Sequence, residues 1–330
     1  MMTLQSLLSS FFRAYLPIQM GYSHNTVSAY RDAFVELLSY FSERKGTKAE
    51  KLAIESISAD AVNGFLEWIE SSKGVSAATR NARLAAIKSF FRYAQTRLPD
   101  VSGQCESILA IQAKRCEAKP MNYLTKAQTK DFFSAFSTKT KEGLRDYCII
   151  ALLYESGARV SELCGASFAD ARLAHPSTII LHGKGKKSRV VPISSKVAKA
   201  LLGYVAAYRV TDGPLFFNAR GEPLTRKGID FILKKYYRKA RLQSTDPLPT
   251  KLSPHCLRHS RAMHLLEDGV NLIYIRDFLG HTSVATTEIY SKANPEIKRK
   301  YLEAATSAYG CEACYTEEEK SELLKWLKTL

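Results

Sequence analysis

The sequence predicts a mainly α-helical chain of two domains, the second carrying one small antiparallel sheet. Three observations predict this. Apolar residues recur at helical spacing through almost every segment. The period changes once, over 177–193, to two β-rich runs around a glycine turn. Pro and Gly interrupt the pattern near "RLPDVSGQ", so that 98–122 reads as a linker. The expected divisions are a helical domain at 1–110, a second domain at 111–310 and a tail at 311–330.

Four helices account for the first domain. Leu4, Leu7, Leu8, Phe11, Phe12 and Tyr15 form one face of an amphipathic helix. "SHNTVSAYRDAFVELLSYF" puts Val27, Tyr30, Phe34, Leu37, Leu38 and Phe41 on one stripe, and "SADAVNGFLEWIES" does so with Val62, Phe65, Leu66 and Ile69. "SAATRNARLAAIKSFFRYAQTR", capped by Ser76, buries Leu84, Ile87, Phe91 and Ala94 and leaves Asn81, Lys88 and Arg92 on the opposite face. In the second domain, "LTKAQTKDFFSAF" and the more apolar "KEGLRDYCIIALLYESG" are helices, the latter ending at Gly157. The hairpin "STIILHGKGKKSRVVPI" follows, then helices near 194–210, 225–241, 254–268, 270–279 and 294–306, and a last one near 316–328.

The 330 residues carry a formal charge of +16, distributed unevenly. Residues 111–310 hold 33 Lys and Arg against 17 Asp and Glu, while 1–110 hold 12 against 10. A positive excess concentrated in one globular region implies a polyanionic partner, most often nucleic acid. No apolar run reaches the ~20 residues of a membrane span, and the N-terminus lacks the pattern of a signal peptide, so the expected compartment is the cytoplasm. The seven scattered cysteines are expected as free thiols. Cys311 and Cys314 form a C-x-x-C with no second pair beside it, which argues against a zinc site.

"SPHCLRHS", 253–260, places His255, Arg258 and His259 at i, i+3 and i+4 on a helix that Ser253 caps and Pro254 begins. No carboxylate lies in it, and a guanidinium is a poor neighbour for a metal and a good clamp for phosphate. A zinc reading of His255, His259 and His281 fails for the same reason, so no metal is expected. "GARVSEL" sets Arg159 at a helix start, where backbone N–H groups favour an anion. "GKGKKSR" is no P-loop, because its context is strand–turn–strand; it reads as a hairpin tip that delivers Lys184, with Lys186 and Lys187 close by. "LGHTSVATTEIY" sets His281 nine residues before Tyr290, whose phenolate could attack phosphorus beside stabilising cations.

Arg159, Lys184, His255, Arg258, His281 and Tyr290, in that order and spacing, closely resemble the tyrosine recombinase (phage integrase) family, and the resemblance extends over nearly the whole chain. It implies an N-terminal core-binding domain of SAM-like fold and an α-rich catalytic domain. It further implies that Tyr290 attacks the scissile phosphate to give a 3′-phosphotyrosine, and that Arg159 and Arg258 hold the non-bridging oxygens. Lys184 would protonate the departing 5′ oxygen, His255 would give or take a proton, and His281 would hydrogen-bond the phosphate; His259 looks supportive. The partner implied is double-stranded DNA bearing paired recombination sites, gripped in part by Asn81, Lys88, Arg92, Lys186 and Lys187. The free chain would be a monomer that forms a homotetramer on DNA, with no cofactor and no membrane association. Two other readings are a type IB topoisomerase and a DNA-binding regulator that never cleaves. The tail "TEEEKSELLKWLKTL" reads as a capped helix with an apolar side, for docking on its own domain or on a neighbouring protomer.

Overall fold

The computed structural model describes residues 3–116, 121–183, 185, 187–218, 220–244, 246–281, 287, 289, 290, 299 and 326. The chain divides into two compact units, residues 1–119 and 120–330.

In the first unit, α1 (Leu4–Ser10) continues as a π-helical stretch, Phe11–Gln19, and α2 (His24–Lys45), α3 (Ala59–Lys73) and α4 (Ala77–Gln95) follow. Side chains of Ser23, Ser58 and Ser76 each accept a backbone N–H in the first turn, and Gly46 and Gly74 close two of the helices in the left-handed region. The core joins Phe11, Phe34, Leu37, Phe65, Leu66, Ile87, Phe90 and Phe91. The stretch expected as a linker contains a further helix, α5 (Ser102–Ala110), whose Cys105 and Ile108 are buried in this core. Residues 111–116, expected with the second domain, belong to the first unit. Asn81 binds the backbone of Lys114 through both its amide atoms, and Lys88 donates to the carbonyls of Leu109 and Ile111.

The second unit is built around α7 (Lys141–Glu155), in which every residue from Cys148 to Leu153 is buried. Against it pack α6 (Lys126–Ser134), α9 (Ser195–Tyr208), α10 (Arg226–Gln243) and α11 (Pro254–Glu267), with α8 (Val160–Cys164) and α12 (Leu272–Leu279) as shorter helices beside them. Thr125, Thr140, Ser194, Thr225 and Ser253 cap five of these helices as their side chains suggest. The hairpin of β2 (Thr178–His182) and β3 (Ser188–Pro192) gains a short third strand, β1 (Ala171–Arg172), giving an antiparallel sheet in the order β1-β2-β3. The pairs Ile179–Val191 and Leu181–Arg189 fix its register; Ile179, Leu181 and Val191 point into the core. A smaller cluster of Ala262, Met263, Leu266, Ile275, Leu279 and Tyr290 lies where α11 meets α12. The helices expected at 294–306 and 316–328, and Cys311 and Cys314, lie outside the described residues apart from Arg299 and Trp326, both helical. No described helix is long and apolar enough to cross a membrane.

Candidate active site

Two helix ends meet on one guanidinium. Arg258 is 3% exposed; its Nη1 donates to the Gly157 carbonyl and its Nη2 to the Leu279 carbonyl, each at 2.6 Å. These oxygens lie at the C-terminal ends of α7 and α12, where carbonyls lack helical partners and carry partial negative charge. Two of five N–H groups are used in this way. Gly157 is required twice over: its φ is +57°, and a Cβ would stand 2.8 Å from the Phe278 ring and 2.9 Å from Leu279. Burial, followed by Arg159 and Arg189, lowers the Arg258 pKa to about 10, so the side chain stays cationic at neutral pH.

Arg159 occupies the N-cap position of α8, one-third exposed, with Nη1 2.8 Å from Glu162 Oε1. Glu162 is itself buried, its Oε2 accepting the Arg159 backbone N–H at 2.9 Å. Across the sheet, Arg189 grips the same carboxylate with both Nη atoms, at 3.1 and 2.8 Å, and donates Nε to the Phe278 carbonyl. Burial raises the Glu162 pKa, but the hydrogen bonds from Arg189 and Arg159 outweigh it and hold the group below its ordinary value. One carboxylate thus fixes two arginines, and the local balance stays positive. Glu162 and Arg189 were not singled out as site residues from the sequence. Both sit inside the stretches "GARVSEL" and "GKGKKSR", and a Glu at the third position of a helix, able to accept the N-cap backbone N–H, is the half of a capping box that signals the first of them.

His281 follows Gly280, the left-handed cap of α12, and its Nδ1 is 3.0 Å from Thr287 Oγ1. Burial and then Arg258, Arg159 and Arg189 lower its pKa to about 4, so the ring is neutral at physiological pH and can donate a hydrogen bond without adding charge. Arg159, Gly183, Lys187, Arg189, Gly280 and His281 line a cleft of about 370 Å³. His255 is exposed on α11; its partial burial, then Arg258 and Arg159, lower its pKa.

Tyr290 is 1% exposed, packed in the Met263–Ile275–Leu279 cluster, and its Oη lies 3.1 Å from His259 Nδ1. Burial raises the phenol pKa, and Arg258 and Arg159 pull it the other way. Arg159, Arg258 and His281 therefore assemble at the α7 and α12 ends, with His255 on α11 and Tyr290 packed beside that helix. Lys184 and Lys186 lie outside the described residues. Lys187 is exposed, and its carbonyl accepts from Gly183 N–H at 2.7 Å to close the turn. At the base of that hairpin His182 bridges Asp170 (2.9 Å) and Ser188 (2.8 Å), a contact without a signal in the sequence. In the first unit Arg92 is exposed, whereas the polar atoms of Asn81 and Lys88 are engaged with residues 109–116 as described above. Burial, then Arg92, lowers the Lys88 pKa. Among the described residues, no three His, Cys, Asp or Glu side chains are grouped as a metal site.

Cations held by backbone carbonyls and a buried carboxylate, gathered near a phenol, suit proteins that act on a phosphodiester. Comparison with known proteins makes the class specific. The phage integrase family matches residues 122–296, and the phage integrase N-terminal SAM-like domain matches residues 10–97. A putative integrase/recombinase y4rC of Sinorhizobium fredii is 35% identical over 308 residues, 93% of this chain and 92% of that one. Tyrosine recombinase XerC of Herpetosiphon aurantiacus is 34% identical over 301 residues, covering 89% of this chain and 93% of its own. Among solved structures, the Tn1549 transposon integrase in complex with transposon right end DNA has the same fold, with a TM-score of 0.69 at 20% identity over 92% of this chain and 99% of that one. The chain belongs to the phage integrase family of tyrosine recombinases. It is an enzyme of site-specific recombination that cleaves and rejoins DNA.

Proposed function

We propose that the chain recombines paired DNA sites through a covalent 3′-phosphotyrosine on Tyr290, without metal or nucleotide cofactor. One observation carries the reading: Leu279 gives its carbonyl to Arg258 and its side chain to the Tyr290 cluster, so clamp and nucleophile are built on one joint. In this reading Arg159 and Arg258 stabilise the charge that gathers on the non-bridging oxygens, and neutral His281 hydrogen-bonds the same phosphate. Lys184 protonates the 5′ oxygen, and His255, facing solvent, exchanges protons with the site. Conserving the backbone energy in the phosphotyrosine bond lets a 5′-hydroxyl from a second duplex reseal the strand. Arg92, Lys186 and Lys187 contact DNA phosphates; Asn81 and Lys88 do so while also holding residues 109–116. The exposed basic face of α10 (Lys234, Arg238, Arg241) supplies further contacts. The enzyme acts in the cytoplasm, a monomer when free and a tetramer on DNA, with the 311–330 tail joining protomers.

The test is a nicked suicide half-site incubated with the chain and resolved on a denaturing gel. Tyr290→Phe should bind the half-site as the unsubstituted chain does and form no covalent adduct; an adduct in the variant refutes the assignment. Relaxation of plasmids with and without the site separates recombination from topoisomerase action.

A further inference from the structure

The phenol of Tyr290 does not face solvent, so its proton needs an acceptor inside the protein. Among the described residues, the hydrogen-bonding group in contact with it is His259, with Nδ1 3.1 Å from Oη and ring centres 5.7 Å apart. His255, the imidazole to which the family resemblance gives a proton-transfer role, stands one turn away on α11, its ring centre 6.5 Å from that of His259. We propose that His259 is the proton acceptor for Tyr290 in strand cleavage. The inference rests on the reading of Tyr290 as the nucleophile.

Tyr290 Oη forms its bond to phosphorus as the O–H bond breaks and the proton passes to His259 Nδ1. The bond from phosphorus to the 5′ oxygen breaks, and that oxygen leaves with the electron pair and takes a proton from Lys184. In rejoining, the incoming 5′-hydroxyl returns a proton to Lys184, and the departing phenolate recovers its proton from His259.

Nδ1 can accept only in the neutral ring, and the surroundings keep it neutral. Burial first, then His255 and Arg258, lower the His259 pKa. Among the described residues, the titratable and charged groups facing the ring are His255 and Arg258 on its own helix, with Tyr290 and His281 from the C-terminal stretch. At neutral pH the ring is therefore an available base, and the buried phenol a reluctant acid that needs one.

The experiment measures adduct formation on the suicide half-site against pH. His259→Asn keeps an oxygen near the Nδ1 position, and so the hydrogen bond, but cannot take a proton. It should slow cleavage by about 10²–10⁴-fold. It should also replace the acidic limb and plateau of the unsubstituted chain with a rate that climbs into the alkaline range. Combining it with Tyr290→3,5-difluorotyrosine, a more acidic phenol, should restore much of the loss. Cleavage by His259→Asn at the original rate and with the original profile overturns the proposal. So does an equal gain from fluorination with and without His259. Should His259→Asn fail to bind the half-site, Tyr290→3,5-difluorotyrosine in the otherwise unsubstituted chain decides: a rate within a few-fold supports an existing base, and a large gain refutes it. Tyr290→Phe runs alongside. An adduct there sinks the nucleophile reading itself, whereas its absence with an indifferent His259→Asn sinks only this inference.

Discussion

Replacing Glu162 by Gln removes one negative charge and almost no volume from the centre of the catalytic unit. The Glu162 side chain is 2% exposed, Arg189 13% and Arg159 36%. The Arg189 pair is thus the buried one, and breaking a buried pair from one side costs about 3–5 kcal/mol. The Arg159 pair is solvent-screened and adds little. Gln still offers one oxygen to a guanidinium, so the lower end applies, about 3 kcal/mol. For a unit of roughly 200 residues this lowers Tm by about 6–12 °C. Because Glu162 is held below its ordinary pKa, its contribution is complete above the ordinary glutamate range and is lost as pH falls through the folded value. The gap between the two proteins should therefore be full at neutral pH and close in acid. Cleavage should fall about tenfold or more, since Arg159 loses the anchor that aims it. Thermal unfolding followed by circular dichroism at several pH values is the assay. A Tm within about 2 °C of the original at neutral pH, or a gap that does not change with pH, would show that Glu162 is not the anion holding the two arginines.

Two further outcomes follow from the same structure. His264 is buried with Nε2 on the Leu124 carbonyl and Nδ1 on the Tyr154 hydroxyl, and burial lowers its pKa to about 4; stability should fall by up to about 3 kcal/mol as pH drops from the ordinary histidine range toward that value. In urea titrations His264→Gln should be less stable at neutral pH yet lose less on acidification, and parallel curves would refute the assignment. Arg238 and Arg241, exposed on α10 beside Lys234 and Lys251, should each contact a phosphate. Changing both to Ala should reduce the slope of log affinity against log salt by about 1.8, and an unchanged slope would remove this face from the DNA interface.

Much of the fold was legible because its signals are local. A serine or threonine followed by an apolar stripe at 3.6 spacing marks a helix wherever it stands, and Ser76 and Ser253 cap helices where the sequence places them. The hairpin could be read for the same reason, from a change of period around glycines. α5 escaped because "SGQCESILA" has only nine residues with a weak apolar side; it is helical where the core of the first unit receives Cys105 and Ile108.

For the site, the resemblance that Arg159, Lys184, His255, Arg258, His281 and Tyr290 bear in order and spacing to the tyrosine recombinase family already implied phosphoryl transfer on DNA. Which atoms meet was decided only by packing. Nothing near Glu162 in the chain announces that Arg189, 27 residues on, will share its carboxylate, or that Arg258 will hold the ends of α7 and α12 together. The contact of His259 with Tyr290 spans 31 residues and exists because Leu279 and Ile275 seat the tyrosine against α11. Residue types carry the chemistry within a short stretch of chain, where periodicity and capping act. Hydrogen bonds between distant segments depend on how whole helices stack, and that is settled by the buried apolar surface of the entire unit.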